Sequence, residues 1–288
     1  MTTIQPIGAH VSSSGGIWTA VERGAALEAE AIQIFGSAPQ TWRKTNHTPA
    51  AFERFRLARA ESSLRAVWLH CPYLPNLAHE DDEMWEKSID CVVNALTVAD
   101  GAGADGVVLH TGSHRGKGID AVLPRVAAAI ERIMEAAPGD ALLALENAAG
   151  QGGTIGKSFE ELGAIFRAVA TPRLAVCLDT CHAYAGGYDI AHPEGMQAML
   201  EEADREVGLD RLAVIHANDS KMEFGSTRDR HENIGDGHIG SDGFRNILAT
   251  PELQRLPMLL EVPGLDGKGP DFENVRRLKQ LRDEVRTT

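Results

Sequence analysis

The stretch "LLALENAAGQGGTIGKSFEELGAIFRAVATPRLAVCLDT" (142–180) contains two short apolar runs with an amphipathic segment between them. The runs "LLALEN" (142–147) and "LAVCLDT" (174–180) lack polar alternation, which is typical of strands that are buried on both faces. Between them, "SFEELGAIFRAVA" (158–170) repeats apolar residues at helical spacing. Ser158 stands at the expected N-cap with a glutamate three positions later, which is a capping box. The stretch therefore predicts a strand–helix–strand unit with parallel strands.

Six more apolar runs of the same kind occur along the chain, and successive runs begin 24 to 45 residues apart. A strand, a crossover helix and two loops need about 30 residues. The segments 52–64 and 121–137 lie between runs and also place apolar residues at helical spacing. The six further runs are "IGAH" (7–10), "AIQIF" (31–35), "AVWLHC" (66–71), "GVVLHT" (106–111), "LAVIHAND" (212–219) and "PMLLEV" (257–262).

Eight such units predict an α/β fold, a single closed (β/α)₈ or TIM barrel, and 288 residues is a suitable length for it. An open doubly wound sheet is the competing fold. That fold usually has a glycine-rich phosphate loop after its first strand, and "GAHVSSSGG" (8–16) lacks the GxGxxG spacing. No low-complexity segment or linker interrupts the sequence, so we expect one domain over residues 1–288.

Composition and charge narrow the classes of protein that fit. Hydrophobic residues make up 43% of the chain, enough for a large core, and the formal net charge is −13. That charge, taken alone, argues against a polyanionic partner, although a local site can override it. The opening "MTTIQPIGAH" lacks the features of a signal peptide, and no apolar run is long enough to span a membrane. We therefore expect a cytoplasmic protein without membrane contact.

The four cysteines are too few for a disulfide framework in a chain of this length, and they suggest a reducing compartment. Cys177 and Cys181 have no second close pair, so a zinc ribbon is weakly supported. We expect all four to be small buried residues. They are Cys71, Cys91, Cys177 and Cys181.

Six consecutive predicted strands each end in histidine, aspartate or glutamate, and His182 lies just beyond the fourth of these six. The C-terminal ends of barrel strands converge on one mouth, where active sites are built, so these side chains should meet. A lone histidine there would more often be a hydrogen-bonded core residue. Imidazole and carboxylate are ligands for zinc and for manganese or iron, so the joint pattern predicts a metal centre. The six residues are His70, His110, Glu146, Asp179, His216 and Glu261.

Two further candidate ligands lie in "STRDRHENIGDGHIG" (226–240), after the seventh strand. Asp229 and His231 are two residues apart, so an extended backbone would point both side chains the same way; the alternative is a solvated loop. With about four ligands per metal and some sharing, nine ligands can hold two or three metals. Divalent cations would give a negatively charged protein a positive cleft for a phosphate. His10, at the end of the first strand, is expected to support this mouth, with core packing as the alternative.

Three stretches carry a resemblance to a known family: "HCPYLPNLA" (70–78), "CLDTCH" (177–182) and "IHANDSKMEFGSTRDRH" (215–231). With these motifs in this order, the sequence resembles the endonuclease IV family of apurinic/apyrimidinic DNA endonucleases over essentially its whole length. The resemblance implies a TIM barrel that holds a trinuclear zinc cluster, with Mn²⁺ as an alternative in some sites.

By this resemblance the nine candidate ligands divide among three ions, and Glu146 bridges two of them and orients the nucleophilic water. The first ion would be held by His70, His110 and Glu146, the second by Glu146, Asp179, His216 and Glu261, and the third by His182, Asp229 and His231.

The resemblance implies hydrolysis of the phosphodiester 5′ to an abasic site, which leaves a 3′-hydroxyl, and removal of 3′ blocking groups. The partner would be double-stranded DNA with abasic sites or blocked 3′ ends, and the protein a cytoplasmic monomer that meets the nucleoid if it is bacterial. The family typically has an arginine two residues before its tryptophan, where this chain has Gln40 before Trp42. The residues expected to contact DNA are Gln40, Arg43, Tyr73, Leu74, Lys221 and Arg228, with Lys44, Arg115 and Lys117 as further basic candidates.

Two other functions stay open at this level. A metal-dependent sugar isomerase or epimerase also uses histidines and carboxylates at the strand ends of this barrel, but usually with one or two metals. The third ligand set would distinguish the two. A DNA-damage binding protein without catalysis would need no water-activating cluster, so an intact ligand set argues against it.

Overall fold

Eight parallel strands form a closed barrel in the computed structural model, which describes residues 4–287. Neighbouring barrel strands follow chain order, and the last pairs with the first, so the TIM-barrel prediction is confirmed and the open-sheet alternative is wrong. The strands are β1 (Ile7–His10), β2 (Ala31–Phe35), β3 (Ala66–His70), β4 (Gly106–Leu109), β5 (Leu142–Glu146), β6 (Leu174–Asp179), β7 (Leu212–His216), β8 (Asp219–Ser220), β9 (His231–Glu232) and β10 (Met258–Leu260).

Within residues 4–287, the strands outside the barrel are β8 and β9, which form a short antiparallel pair after β7. All eight strands predicted from the sequence are confirmed to within a few residues. Their continuous apolar runs have one face toward the barrel interior and the other toward the helices, which is the arrangement of a parallel sheet covered by helices.

Helices pack around the outside of the barrel and bury their apolar faces against it. The predicted segments 52–64, 121–137 and 158–170 correspond to α2, α4 and α5. Within residues 4–287, no helix combines the length and the apolar character needed to cross a membrane. The helices are α1 (Thr19–Ala26), α2 (Pro49–Ala60), α3 (Asp82–Ala102), α4 (Ile119–Ala136), α5 (Phe159–Ala168), α6 (Thr180–Gly186), α7 (Pro193–Glu206), α8 (Gly240–Ala249) and α9 (Phe272–Thr287).

The start of α5 confirms one half of the predicted capping box and corrects the other. Ser158 Oγ accepts a hydrogen bond from the Glu161 N–H at 3.3 Å, as an N-cap does. The Glu161 carboxylate does not return to the N-cap backbone. It accepts from the N–H groups of Gly156, at 2.8 Å, and Lys157, at 3.2 Å, so it orders the loop that precedes the helix.

The interior of the barrel contains a layer of mostly small side chains around the indole of Trp68. Side chains alternate in direction along a strand, so the residue two positions after a member of this layer also faces inward. Those next inward positions lie at the C-terminal mouth. The layer consists of Ala31, Ala66, Trp68, Val108, Ala144, Ala175, Cys177, Val214 and Leu259.

A larger apolar core lies between the outer face of the sheet and the helices, with the fully buried rings of Phe55, Phe159 and Phe244 among its largest side chains. All four cysteines are buried and free of disulfides, as the sequence predicts.

Candidate metal centre at the barrel mouth

The strand-end residues predicted from the sequence lie together at the mouth, because each occupies the inward position above the inner layer. Glu146 follows Ala144 by two residues, and His216 follows Val214 in the same way. Five of the nine candidates are buried, and four are partly exposed toward the opening. The buried ones are His70, Glu146, Asp179, His182 and His216, and the partly exposed ones are His110, Asp229, His231 and Glu261.

The carboxylate of Glu146 lies at the centre of the group. Its Oε1 is 3.0 Å from His216 Nδ1 and 3.4 Å from His182 Nδ1. Its Oε2 is 3.4 Å from both His70 Nε2 and His110 Nε2. The Glu146 side chain has no exposed surface, so water cannot screen these charges. One carboxylate therefore faces four imidazoles, which come from β3, from the position directly after β4, from α6 and from β7.

The start of α6 carries the cluster beyond the end of β6. Asp179 is the N-cap of this helix, and its Oδ1 accepts a hydrogen bond from the His182 N–H at 2.8 Å. That bond fixes His182 one turn past the strand. Its Nε2 then lies 3.2 Å from Asp229 Oδ2. The i, i+3 spacing of "DTCH" thus lets Asp179 and His182 serve different parts of the cluster.

The short pair of β8 and β9 brings the remaining histidine back over the mouth. His231 is paired with Ser220 across this antiparallel ladder. Its Nε2 lies 3.3 Å from Asp229 Oδ1 and 3.7 Å from Asp179 Oδ2. The structure therefore places Asp229 and His231 side by side, as their spacing predicts, although Asp229 lies in the loop before β9 and its side chain is 35% exposed.

Three of the histidines present Nε2 to the cluster because Nδ1 is hydrogen-bonded to a backbone carbonyl. A carbonyl oxygen only accepts, so in each neutral ring the proton lies on Nδ1 and the Nε2 lone pair faces inward. The bonds are His70 Nδ1 to Cys71 O at 2.6 Å, His182 Nδ1 to Asn147 O at 2.9 Å and His231 Nδ1 to Glu261 O at 3.2 Å.

Four buried polar atoms of this cluster have no hydrogen-bond partner among the described residues: Glu146 Oε2 and the Nε2 atoms of His70, His182 and His231. Buried polar groups are nearly always satisfied, so imidazole nitrogens that lie within 3.4 Å of carboxylate oxygens without forming a hydrogen bond need an explanation. Imidazole nitrogen and carboxylate oxygen are the donors that zinc accepts. The residues therefore fit metal ions.

Ligand atoms in three groups of these residues lie within 4.8 Å of one another. The groups are His70, His110 and Glu146; Glu146, Asp179, His216 and Glu261; and His182, Asp229 and His231.

In the cluster four carboxylates lie close to five imidazoles, so each type of group shifts the pKa of the other. Burial raises the pKa of Glu261 and of Asp229, but the rings of His216 and His182 outweigh it and hold both pKa values well below their usual range. Burial lowers the pKa of His231, whereas the Asp229 carboxylate raises it to about 9. Bound cations would replace the protons that otherwise balance this charge.

Buried amides hold the ligands in place, and sequence reasoning assigned them no role. Asn218 Nδ2 donates to Asp179 Oδ2 at 2.7 Å, and Asn147 Oδ1 accepts from the Asp179 N–H at 2.6 Å. Gln33 hydrogen-bonds to Glu261 at 2.7 Å. The signal in the sequence was a polar residue within, or directly after, a buried apolar run. His10 Nδ1 lies 3.4 Å from Glu261 Oε1, beside the mouth.

The rim beside the cluster is formed by the loops after β2 and β3. The Tyr73 side chain is 54% exposed, and its ring centroid is 5.3 Å from that of His70. Its backbone N–H donates to Pro39 O at 3.1 Å, which ties it to the loop that carries the exposed Gln40. Leu74 is partly buried behind it. Three of the residues expected to contact DNA, Gln40, Tyr73 and Leu74, therefore share one edge of the mouth.

The predicted basic contacts differ in whether a carboxylate lies close enough to form an ion pair with them. Among residues 4–287, no carboxylate lies within 4.0 Å of the charged atoms of Arg43, Lys221 or Arg228, and the last two line an open cavity of about 390 Å³. Lys44 and Lys117 are instead in exposed ion pairs, with Asp90 at 3.2 Å and Glu80 at 2.7 Å, so they are weaker candidates. Arg115 lies at the surface beside His79.

A large groove that the sequence did not predict opens beside the metal ligands. It has a volume of about 1230 Å³ and lies between the loops that follow β1, β2 and β10. Trp18, Phe35 and Pro39 line it, and Tyr73 and Glu261 form its border with the cluster. A molecule bound in this groove would therefore contact the candidate metal centre.

Comparison with known proteins agrees with this geometry. Residues 21–286 match a family model described as xylose isomerase-like TIM barrel. A protein of Methanoculleus marisnigri named probable endonuclease 4 is 41% identical over 277 residues, which cover 96% of this chain and 98% of that protein. A protein of the same name from Halothermothrix orenii is 37% identical, with 95% of this chain and 99% of that protein covered.

Solved structures divide into a near and a distant group. The crystal structure of endonuclease IV from Thermus thermophilus matches with a TM-score of 0.85 and 37% identity over 97% of this chain and 99% of that chain. A D-tagatose 3-epimerase-like protein matches with a TM-score of 0.71 and 17% identity over 97% of both chains. The second likeness shows the barrel fold alone. The resemblance predicted from the three motifs is confirmed.

Proposed function

The chain belongs to the endonuclease IV family, and from that premise we propose that it hydrolyses the phosphodiester bond 5′ to abasic sites in double-stranded DNA. Cleavage leaves a 3′-hydroxyl, and the same hydrolysis at a strand end removes 3′ blocking groups. The observation that carries the proposal is the Glu146 carboxylate, fully buried and within 3.4 Å of nitrogen atoms from four histidines. A carboxylate shared in this way suits a phosphoesterase with several metal ions.

The cofactor we propose is a cluster of three zinc ions, with manganese as an alternative in some sites. The nine residues form groups of three, four and three, with Glu146 in two of them, and these would hold three zinc ions because zinc binds three or four protein ligands and can take water in an open position. When bound, such ions polarise the phosphate oxygens, lower the pKa of a bound water and stabilise the departing oxygen. The nine residues that would hold them are His70, His110, Glu146, Asp179, His182, His216, Asp229, His231 and Glu261.

The chain's own groups position the reacting atoms. The buried carboxylate of Glu146 is an acceptor with no exposed surface, so it orients the attacking water without competition from solvent. Asn218 and Asn147 fix the orientation of Asp179 from two sides. Backbone carbonyls set the ring positions of His70, His182 and His231. The site is thus held in place before the substrate arrives, which lowers the cost of reorganisation during the reaction.

Lesion recognition follows from the rim. An abasic nucleotide leaves the helix at the lowest cost, because no base has to be unstacked or unpaired. Tyr73 and Leu74, with Gln40 beside them, fill the gap that the missing base leaves. Arg43, Lys221 and Arg228 contact the phosphates on either side. We propose that the protein acts as a monomer in the cytoplasm, where the chromosomal DNA of a bacterium lies.

A nicking assay tests the proposal. We expect the zinc-loaded protein to cut a duplex with one abasic site on its 5′ side and to leave an end that a DNA polymerase extends. The matched intact duplex should stay uncut. Elemental analysis of the same preparation should give about three zinc ions per chain. Full nicking activity in a metal-free preparation would refute the mechanism.

An epimerisation assay on the same preparation distinguishes this function from that of a sugar isomerase or epimerase. The group of His182, Asp229 and His231 gives the cluster its third set of ligands, which a site with one or two metals does not need. We therefore expect no epimerisation of ketohexoses under conditions in which the abasic duplex is cut.

A further inference from the structure

Gln33 is the polar residue in the apolar strand β2, and it is completely buried inside the barrel. Its neighbours Ile32 and Ile34 point outward into the helix-facing core. A buried amide is costly unless its oxygen and nitrogen both find partners. All the side-chain partners of Gln33 belong to the mouth. Oε1 lies 2.9 Å from His216 Nε2, and Nε2 lies 2.7 Å from Glu261 Oε1 and 3.1 Å from His10 Nδ1.

The carboxylate of Glu261 determines which way the amide points. An ionised carboxylate only accepts hydrogen bonds, so it must face the NH₂ group of Gln33. The Gln33 oxygen then faces His216, and only a protonated Nε2 can donate to it. In the neutral ring this leaves Nδ1 without a proton, 3.0 Å from Glu146 and 3.3 Å from Glu261. The opposite amide orientation would place two oxygens against each other at 2.7 Å.

His216 is turned the other way from three of the other candidate ligands. His70, His182 and His231 place Nδ1 on a backbone carbonyl and present Nε2 to the cluster. His216 presents Nδ1, and its Nε2 points into the barrel interior, where Gln33 supplies the acceptor. An outer hydrogen-bond partner of this kind fixes the tautomer and the ring orientation of a metal-binding histidine.

We propose that Gln33 is a positioning residue that sets the affinity of one metal ion, the one that Glu146, Asp179, His216 and Glu261 would hold. It acts on two of these four ligands at once, through the Nε2–H of His216 and through Glu261 Oε1. The other two ligand groups have no contact with its side chain among the hydrogen bonds of the described residues. The inference rests on the proposed metal cluster and goes beyond it by assigning the ions different supports.

The test compares two buried glutamines in zinc-loaded protein. Gln33→Met removes the amide at nearly constant volume. Gln5→Met is the matched control, because Gln5 is also buried and its amide donates to the carbonyls of Leu253 and Leu256 below the barrel. Zinc release is followed with a colorimetric chelator. We expect one of three ions to be bound about 10–100-fold more weakly in Gln33→Met and all three to be unchanged in Gln5→Met.

Nitrogen-15 NMR of the histidine rings gives a second measurement, which does not depend on the folding of Gln33→Met. In the zinc-loaded wild-type protein we expect a proton on Nε2 for one cluster histidine and on Nδ1 for three others. His216→Asn assigns the first signal. Zinc affinities within twofold of wild type in Gln33→Met, equal weakening of all three ions, or an Nδ1 proton on His216 would each overturn the inference. A wild-type protein that binds three zinc ions but cuts no abasic duplex would instead refute the proposed function alone.

Discussion

Glu146 illustrates how much of the candidate site depends on one side chain. Its two oxygens face different pairs of histidines, and its carboxylate belongs to two of the three ligand groups. Glu146→Gln keeps the volume and removes that charge. We expect the single-turnover nicking rate to fall by about 10³-fold, because the interactions lost are worth several kcal/mol. We also expect the zinc content to fall, and we expect affinity for the abasic duplex, measured by fluorescence anisotropy, to fall far less than the rate.

The control for this variant is Glu131→Gln, which removes an exposed carboxylate from the middle of α4. Its rate and zinc content should match those of the wild type. Near-normal turnover in Glu146→Gln would show that this carboxylate is not shared between metal ions.

Tyr73 should distinguish damaged from intact DNA. Its ring is half exposed and stands against the rings of Phe35 and His70, at centroid distances of 5.4 and 5.3 Å. Stacking of an aromatic ring where a base is missing is worth about 1–3 kcal/mol. We expect Tyr73→Ala to weaken binding to an abasic duplex by about 5–150-fold and to an intact duplex far less. Tyr73→Phe keeps the ring and should bind as the wild type does.

Gln40 tests the same contact with the lesion from the neighbouring loop. It is exposed and uncharged, so Gln40→Ala should change little, whereas Gln40→Arg adds a flat cation that can stack and attract phosphates. The arginine variant should bind the abasic duplex more tightly. Equal losses on abasic and intact duplexes in Tyr73→Ala would mean that Tyr73 only supports the rim.

The individual ligands could be predicted because each ends a run of apolar residues or lies directly beside a motif. The position of Gln33 inside the apolar run "AIQIF" indicates a buried polar residue, but its role could not be predicted, since its partner His216 is 183 residues away. Asn147 directly follows β5, and Asn218 lies two residues after β7. The role of each depends on its hydrogen bond to Asp179, which the local sequence does not show. Such second partners are set by the closure of the barrel and not by local sequence.

At the scale of elements, the loop that follows β9 is organised by one buried carboxylate. Asp219 is fully buried and accepts hydrogen bonds from the backbone N–H groups of Ser220, Gly235, Gly237, Ile239 and Gly240, at 2.8 to 3.3 Å. A side chain at Gly237 would come within 2.5 Å of the Asp219 Oδ1, so this close wrapping requires glycine. Because this loop begins next to His231, the hydrogen bonds that order the loop also help to position the third ligand group.

We expect Asp219→Asn to destabilise the fold by about 3 kcal/mol, because the amide nitrogen cannot accept the hydrogen bonds that one carboxylate oxygen receives. Urea denaturation measures this change, and amide hydrogen exchange should accelerate between residues 235 and 240. Asp242→Asn is the control: that side chain is 99% exposed, in an ion pair with Arg245. If both variants lost equal stability, the buried carboxylate would have no special role in the loop.

Strands were easier to predict than the connections between them. The barrel strands follow from continuous apolar runs, which any parallel sheet buried on both faces needs. The loop from 231 to 240 has no such pattern. Its course depends on hydrogen bonds to Asp219, which precedes Gly235 by 16 residues and Gly240 by 21. The hydrogen bonds of Glu161 also depend on a loop. Its carboxylate does not accept from the Ser158 N–H, as the capping box predicts, because the N–H groups of Gly156 and Lys157 in the loop before α5 donate to it instead.

At the scale of the whole molecule, a chain with a net charge of −13 is proposed to bind a polyanion. Among residues 4–287, Arg43, Lys221 and Arg228 have no carboxylate within 4.0 Å of their charged atoms. Binding of these three cations to three phosphates gives a slope of about −2.7 for log K against log salt. We expect affinity for DNA to fall with salt by about that slope. Lys221→Ala should reduce the magnitude of the slope by about 1. Lys87→Ala, which removes an exposed cation already paired with Glu83, should leave it unchanged. Affinity that does not depend on salt would exclude a cleft that tracks the backbone.

The opposite end of the barrel is held by an ion-pair network rather than by a functional site. Glu30 directly precedes β2, and its Oε2 accepts from the Ile7 N–H of β1 at 3.0 Å and from Arg282 of α9 at 2.6 Å. Arg65, just before β3, is 3.3 Å from the same oxygen. Burial raises the pKa of Glu30, but the hydrogen bonds from Arg282 and Ile7 outweigh it, so the pKa is lowered. This carboxylate therefore joins the first three strands to the last helix.

A lowered pKa in the folded state makes the contribution of Glu30 depend on pH in one direction. Its stabilisation is complete above the pKa of the unfolded chain, near the ordinary carboxyl value, and is lost as the pH falls toward the folded-state pKa. We expect Glu30→Gln to lower the free energy of unfolding by about 1–2 kcal/mol at pH 7, since hydrogen bonds to a charged group are lost. Measured by urea denaturation, the gap to wild type should stay constant from about pH 6 to 8 and narrow below about pH 5. Glu53→Gln, in the exposed pair with Arg56, should show almost no gap. If the difference in free energy of unfolding between wild type and Glu30→Gln widened as the pH fell, Glu30 would stabilise the fold in its protonated form. The network would then depend on packing and neutral hydrogen bonds and not on the charge of Glu30.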